Sequence, residues 1–199
     1  MGFENPPYEV IERDGHFELR QYDDYILAEV AVEGDFDEAL TRGFRILADY
    51  IFGNNRRSEH VAMTVPVTEQ LRPDSEKISM TAPVTAQPQG IGTYGIAFMM
   101  PSKYSLETLP QPTDKRISFR SVPAHRAAVI RFSGSMDESA AKTRTAELAA
   151  WLHSKSLSTD LPFAYANYSP PWIPPFWRRN EVIAELPSQS DVDTRSVSQ

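Results

Sequence analysis

The 199-residue chain contains no cysteine. Disulfides, thiolate metal sites and cysteine nucleophiles are therefore excluded, while the compartment stays open. Histidine is scarce. His16, His60, His125 and His153 are the whole set, and no two stand at the i, i+4 spacing of a helical metal pair. No apolar run approaches the ~18 residues that a membrane-spanning helix needs. An excess of basic charge is also missing. The formal net charge is −7 and Lys/Arg clusters are short, so nucleic acid is not an expected partner. The chain has no G-x-S-x-G elbow, no G-x-G-x-x-G and no phosphate loop. Adjacent carboxylates such as Asp23-Asp24, Asp37-Glu38 and Asp137-Glu138 read as turns or helix starts. Nothing demands catalysis, and no enzyme is expected. The opening MGFENPPYEV has neither a basic n-region nor an apolar h-region. A cytoplasmic protein is expected, or a periplasmic one if a leader has been removed.

What is present is a soluble globular composition, 41% hydrophobic and 24% charged, enough for a core without staples. One phrase occurs almost twice: VAMTVPVT at 61–68 and ISMTAPVT at 78–85. In VAMTV, Val61, Met63 and Val65 alternate with Ala62 and Thr64; in ISMTA, Ile78, Met80 and Ala82 share a face. Both read as strands, 61–65 and 78–82. Pro66 and Pro83 cannot donate to a ladder, so each should end its strand or sit at an edge or bulge.

A longer echo lies 100 residues apart. LRQYDDYILAEVAVEGDFDEAL (19–40) aligns without gaps on FRSVPAHRAAVIRFSGSMDESA (119–140), with five identities in 22 positions. Each copy begins with a strand: Tyr25, Leu27 and Glu29 against Ile26, Ala28 and Val30, then Ala127, Val129 and Arg131 against Ala128, Ile130 and Phe132. A glycine follows, then Asp35-x-x-Glu38 or Ser135-x-x-Glu138 at the position of a capping box. Phe36, Leu40, Phe44 (or Gly43), Leu47 and Ile51 form one helical stripe, ended by Gly53-Asn54-Asn55. Met136, Ala140, Ala141, Leu148, Trp151 and Leu152 form a weaker, Ala-rich one. Further strands are expected at YGIAFMM (94–100), FAYANY (163–168) and NEVIAEL (180–186). The pattern is β-β-α-β-β, twice. Units so short share one core, so one α+β domain is expected over residues 1–187. It would be a distorted antiparallel β-barrel with two flanking helices and a pseudo-twofold internal repeat. The polar segment 188–199 reads as a disordered tail. The Pro-rich connector LETLPQPTDK (106–115) leaves two separate domains as the competing arrangement.

YEVIERDGHFELRQY, ILADYIFGNN, EKISMTAPVT, MPSKYSLETLPQP and YSPPWIPPFWRRNEV, in this order, resemble the SOUL/haem-binding protein family from about Tyr8 to Leu186. The resemblance implies a distorted barrel with two helices, related to the ligand-binding domains of multidrug-sensing bacterial regulators. It also implies non-covalent binding of haem or another tetrapyrrole. The family's cleft, between the first helix and the loop near the PP motif, maps here to Thr41, Phe44, Ala48 and Asp49 and to Tyr168. Some relatives carry a proposed axial histidine after the Arg of ELRQY, where this chain has Gln21. Binding without a protein axial ligand follows, with His60 or a methionine as the alternative.

The candidate binding residues are Thr41, Phe44, Arg45, Ala48, Met63, Met80, Tyr168, Trp172, Phe176 and Arg178. Met63 and Met80 are either adaptable core fillers or soft thioethers near a metal macrocycle. Arg42 and Arg45 are either a solvated helix face or partners for carboxylates. Trp172, Ile173, Phe176 and Trp177 are a heavy apolar load for a proline-stiffened loop, either a lid on the sheet or a wall of an apolar slot. Arg178 or Arg179 could meet ligand carboxylates there. The expected role is a soluble carrier, buffer or sensor of a tetrapyrrole, with no metal site of its own. The alternatives are a sensor of apolar or cationic small molecules and an enzyme acting on haem. Oligomeric state is not legible.

Overall fold

The computed structural model describes residues 4–57, 75–169 and 172–187. The first copy of the repeated phrase, with Met63, His60 and the expected strand 61–65, lies outside the described residues, as does the tail 188–199.

Among the described residues, eleven strands and two α-helices run in the order β1 (Tyr8–Asp14), β2 (Phe17–Tyr22), β3 (Tyr25–Glu33), α1 (Phe36–Ile51), β4 (Asn55–Arg56), β5 (Val84–Gly90), β6 (Thr93–Met99), β7 (Gln111–Pro112), β8 (Ser118–Val122), β9 (His125–Phe132), α2 (Glu138–Ser154), β10 (Ala164–Asn167), β11 (Asn180–Glu185). A 3₁₀ turn, Pro175–Trp177, precedes β11. Nine strands form one antiparallel sheet ordered β1-β2-β9-β11-β10-β5-β6-β3-β8, while β4 and β7 pair separately. β1 and β8 stand at opposite ends and do not pair, so the distorted barrel takes the form of a curled half-barrel.

The alternation expected for β3 and β9 is what divides the sheet into two faces. Opposite partners lie on one face, and a single cross-strand row runs Val30, Ile96, Ala86, Tyr165, Val182, Ile130, Phe17. Its first members pack with Phe36, Leu47 and Ile51 of α1. Its last pack with Leu148, Trp151 and Leu152 of α2. Tyr165 touches both clusters. Both helices therefore cover the same face.

α1 starts as the sequence requires. The Asp35 carboxylate accepts from Glu38 N at 2.8 Å, satisfying an orphan amide of the first turn. It ends at Phe52, with Gly53 at φ +119°. Two expectations are corrected. The cap of α2 is Asp137, which accepts from Ala140 N at 2.8 Å, so Ser135 is not its cap; a carboxylate beside the first turn also meets the helix dipole. Residues 78–80 form no strand and Thr81 makes only an isolated bridge. Pro83 precedes a strand, β5, rather than ending one. The connector 106–115 packs against α1: Leu109 is fully buried, and Tyr50 Oη donates to Pro110 O at 2.8 Å.

Candidate functional site

A cleft of about 400 Å³ opens beside α1. Leu40, Thr41, Phe44 and Arg45 supply one wall, successive positions on one flank of the helix. They flank the buried stripe of Phe36, Gly43, Leu47 and Ile51, which holds α1 on the sheet. Met80, Thr81, Ala82 and Val84 supply the second wall, from the second copy of the repeated phrase. Before β5 begins at Val84 the segment has no ladder of its own but is anchored at three points. Ile78 N donates to Ile51 O at 2.9 Å, Ala82 N to Glu4 O at 2.9 Å, and the Thr81 hydroxyl to Met99 O. Asn167, Tyr168, Ser169 and Trp172 close the third side. The base of their loop is pinned by Tyr168 N to Arg179 O at 3.0 Å and Arg179 N to Ser169 Oγ at 2.9 Å.

The interior is largely apolar. Phe44 packs on Phe98 with ring centroids 5.5 Å apart. Among the described residues Arg45 is the one basic side chain lining the cleft, and it is exposed and has no acidic partner. Arg42 is engaged elsewhere, donating to Glu33 O at 3.1 Å and facing Glu38 at 3.6 Å. Asp49 accepts from Asn54 Nδ2 at 2.6 Å and does not line the cleft.

Of the residues singled out from the sequence, Thr41, Phe44, Arg45, Met80, Tyr168 and Trp172 come together here. Three others do not. Ala48 is buried beside the stripe. Phe176 is exposed and packs edge-on against Trp177 at 5.1 Å. The Arg178 guanidinium donates to Ile173 O at 2.8 Å and lines a different pocket. Gln21 is also remote: its amide donates to Tyr22 O and His125 O, a structural role on β2. The residues not foreseen are Leu40, Thr81, Ala82, Val84, Asn167 and Ser169. Leu40 was visible in the helical stripe, Thr81, Asn167 and Ser169 adjoin residues that were singled out, and Ala82 and Val84 lie within the repeated phrase that contains Met80.

No described histidine lines the cleft, and no cluster of three His, Asp or Glu among the described residues could hold a metal ion. Among the described residues lining the cleft, Met80 offers the one sulfur. The donor set thus fits a flat apolar macrocycle with a peripheral anion better than it fits an axially ligated iron.

The opposite face of the sheet encloses a second, smaller cavity of about 100 Å³, whose lining includes Tyr22, Tyr25, Glu29, Arg120, His125 and Glu185. Arg120 pairs with Glu29 at 3.1 Å, whereas Glu185 has no cationic partner among the described residues. Tyr168 lines both cavities. Its hydroxyl is buried with no hydrogen-bond partner among the described residues, and burial holds the phenol well above its ordinary pKa.

The model of the SOUL heme-binding protein family matches residues 3–185. The chain belongs to that family. Among curated proteins it is similar to heme-binding protein 1 of Xenopus laevis, 29% identical over 86% of this chain and 84% of that one. It is also similar to heme-binding protein 2 of Mus musculus, 27% identical over 56% of this chain and 49% of that protein. Among solved structures, the EcmrR C-terminal domain superposes with a TM-score of 0.61 at 11% identity, covering 91% of this SOUL-family chain and 98% of that one. A hydrolase from Listeria innocua superposes at 0.57 and 12% identity, covering 89% and 94%. At such identities these two share the fold alone.

Proposed function

We propose that this SOUL-family protein binds haem or a related tetrapyrrole non-covalently in the α1 cleft, as a carrier, buffer or sensor. The observation that carries the reading is the apolar slot itself, walled by Phe44, Met80 and Trp172. Its volume of about 400 Å³ lies within the ~300–1,000 Å³ of small-molecule sites. Burying a few hundred Å² of macrocycle at ~25 cal/mol/Å² gives several kcal/mol before the costs of association, enough for roughly micromolar affinity without a metal bond. Arg45, exposed and without an acidic partner among the described residues, is the candidate partner for a propionate. Met80 is the only described side chain in the cleft with a soft donor for iron. The names of the relatives support the same ligand class.

Titration with hemin, followed by visible absorption, tests this. Saturable binding is expected, weakened about tenfold or more by Phe44→Ala or Trp172→Ala. A response that stays linear with hemin, or one that neither variant moves, contradicts the cleft. Met80→Leu should leave the affinity nearly unchanged unless the sulfur ligates iron, in which case the spectrum shifts. The proposal includes no catalysis: the bound spectrum should stay constant with time, and iron release or ring modification would favour the enzyme reading instead.

A second reading, a sensor of small organic cations, is favoured by one observation. The cavity on the opposite face sets the Glu185 carboxylate, which has no cationic partner among the described residues, beside Tyr22, Tyr25 and His125, a combination that attracts cations. Saturable binding of a small organic cation that hemin does not compete away, abolished by Glu185→Gln, would select it.

A further inference from the structure

Four arginines, Arg13, Arg131, Arg178 and Arg179, together with His16, line an open pocket of about 350 Å³. Behind them Arg20 is fully buried. Two buried carboxylates serve this group. Glu18 faces Arg13 at 2.8 Å, Arg20 at 2.7 Å and Arg131 at 3.3 Å. Glu181 faces Arg20 at 2.9 Å, Arg131 at 3.6 Å and Arg179 at 2.8 Å. Arg13, Arg20, Arg131 and Arg179 thus share two negative charges, and a local excess of positive charge remains. In a chain of net charge −7 this is an island of the opposite sign. A Debye length of about 10 Å lets such an island act independently of the distant acidic surface.

Beside it stands an aromatic knob. Gly134 N donates to Pro175 O at 2.9 Å, and Asn180 Nδ2 donates to Gly134 O at 2.9 Å. These bonds fix the 3₁₀ turn against the connection that follows Phe132 and Ser133, both of which line the arginine pocket. Phe176 and Trp177 on that turn are 66% and 73% exposed, and Trp172 is 75% exposed. Trp172 also walls the α1 cleft, which leaves Phe176 and Trp177 as two adjacent large rings in water, a patch that needs a partner. A small oxyanion would satisfy the arginines and leave the rings in water. An apolar protein surface would cover the rings and strand the charge. A headgroup layer does both: indole and phenyl rings settle at the interface, and guanidiniums meet lipid phosphates.

We propose that the Phe176–Trp177 knob and the arginine rim beside it form a docking surface for an anionic lipid bilayer. The surface is complete without any ligand in the α1 cleft, so the proposal stands apart from the haem reading.

The test is flotation of the full chain with two vesicle populations, phosphatidylcholine alone and phosphatidylcholine with about 30 mol% phosphatidylglycerol, with tryptophan emission as a second readout. Binding to the anionic vesicles alone is expected, with a blue shift in emission, and raised salt should release the protein. The double variant F176S/W177S should weaken partitioning at least about tenfold, and Arg13→Gln about fivefold. Both change exposed side chains, and circular dichroism melts would verify that the variants are folded. Three results overturn the proposal: binding to neither population, equal binding to both, or anionic binding that the aromatic double variant leaves intact. Soluble glycerol phosphate that competes as well as vesicles do, mole for mole of phosphate, would reassign the pocket to a free oxyanion and also overturn it.

Discussion

Glu181 sits on β11 with no exposure to solvent, and Arg20, 161 residues away in sequence, meets it with two parallel bonds of 2.9 Å. Burial pushes the carboxyl upward, but Arg20 and Arg179 overcome it and its pKa lies below the ordinary value. Glu18 behaves alike: burial opposes, and Arg20, Arg13 and Arg131 prevail. In the unfolded chain both return to about 4.5. Below that value the unfolded chain binds more protons than the native one. The stability these groups contribute is therefore present above pH 4.5 and is lost as pH falls through the lowered native values. Urea midpoints measured downward from neutrality should hold level for these groups until about that point and then fall; a midpoint that rises on acidification contradicts the assignment. Removing one partner is the harsher change. Glu181→Ala removes the bidentate partner of the buried Arg20, leaving it Glu18 and Tyr22, and should cost about 3 kcal/mol, read as a lowered urea midpoint. This cluster was not legible beforehand. Charged residues alternating along FELRQY and NEVIAE look like a solvated strand face until the register sets β2 and β11 on either side of β9.

α1 was legible nearly to the residue because each of its signals is local: a carboxylate cap, a stripe at 3–4 spacing, and a glycine that takes positive φ. The helical wall of the cleft was indicated by the family resemblance rather than by these signals: Thr41 and Phe44 line it, whereas Ala48 and Asp49, implied in the same way, do not. The loop wall was legible only in part. Trp172 and Phe176 read alike in sequence, and only the turn at Pro175–Trp177 separates them. Strand β5 was misplaced because ISMTA alternates like a strand, whereas the ladder begins after Pro83, which has no amide to give. Gly43 shows what the helix packing demands beyond pattern. Helix propensity alone favours Gly43→Ala by up to about 1 kcal/mol. A Cβ built there, however, lies 2.5 Å from Ile96 Cβ on β6. That atom is next to the strand backbone and cannot swing aside, so overpacking decides the sign. A net loss of about 1–2 kcal/mol is expected in equilibrium unfolding. Because α1 would lift from β6, the same variant should also weaken hemin binding, although Gly43 does not line the cleft. Unchanged stability would mean that the helix rides less closely on the sheet than the contact requires.

At the scale of the molecule, the strand order decides how the protein unfolds. Exchange β2 with β8, β3 with β9, β5 with β10 and β6 with β11, and the order β2-β9-β11-β10-β5-β6-β3-β8 reads the same from its other end. This favours the internal repeat read from the sequence, which we keep as a proposal. The consequence does not depend on its origin. Each half lends a strand to the other: β2 pairs with β9, and β8 pairs with β3. A half that unfolded alone would strip an outer strand from its partner and expose one side of the core around Tyr165, which both helix clusters share. We therefore propose residues 1–187 as one cooperative unit, against the alternative of two domains joined at 106–115. Calorimetry should give a single transition whose calorimetric and van't Hoff enthalpies agree. Hemin at about 100 times its dissociation constant should stabilise that whole unit by about 2.7 kcal/mol rather than one half of it. Two resolved transitions, with hemin moving only one, would mean that the lent strands peel away without loss. The cleft would then belong to the α1 half alone.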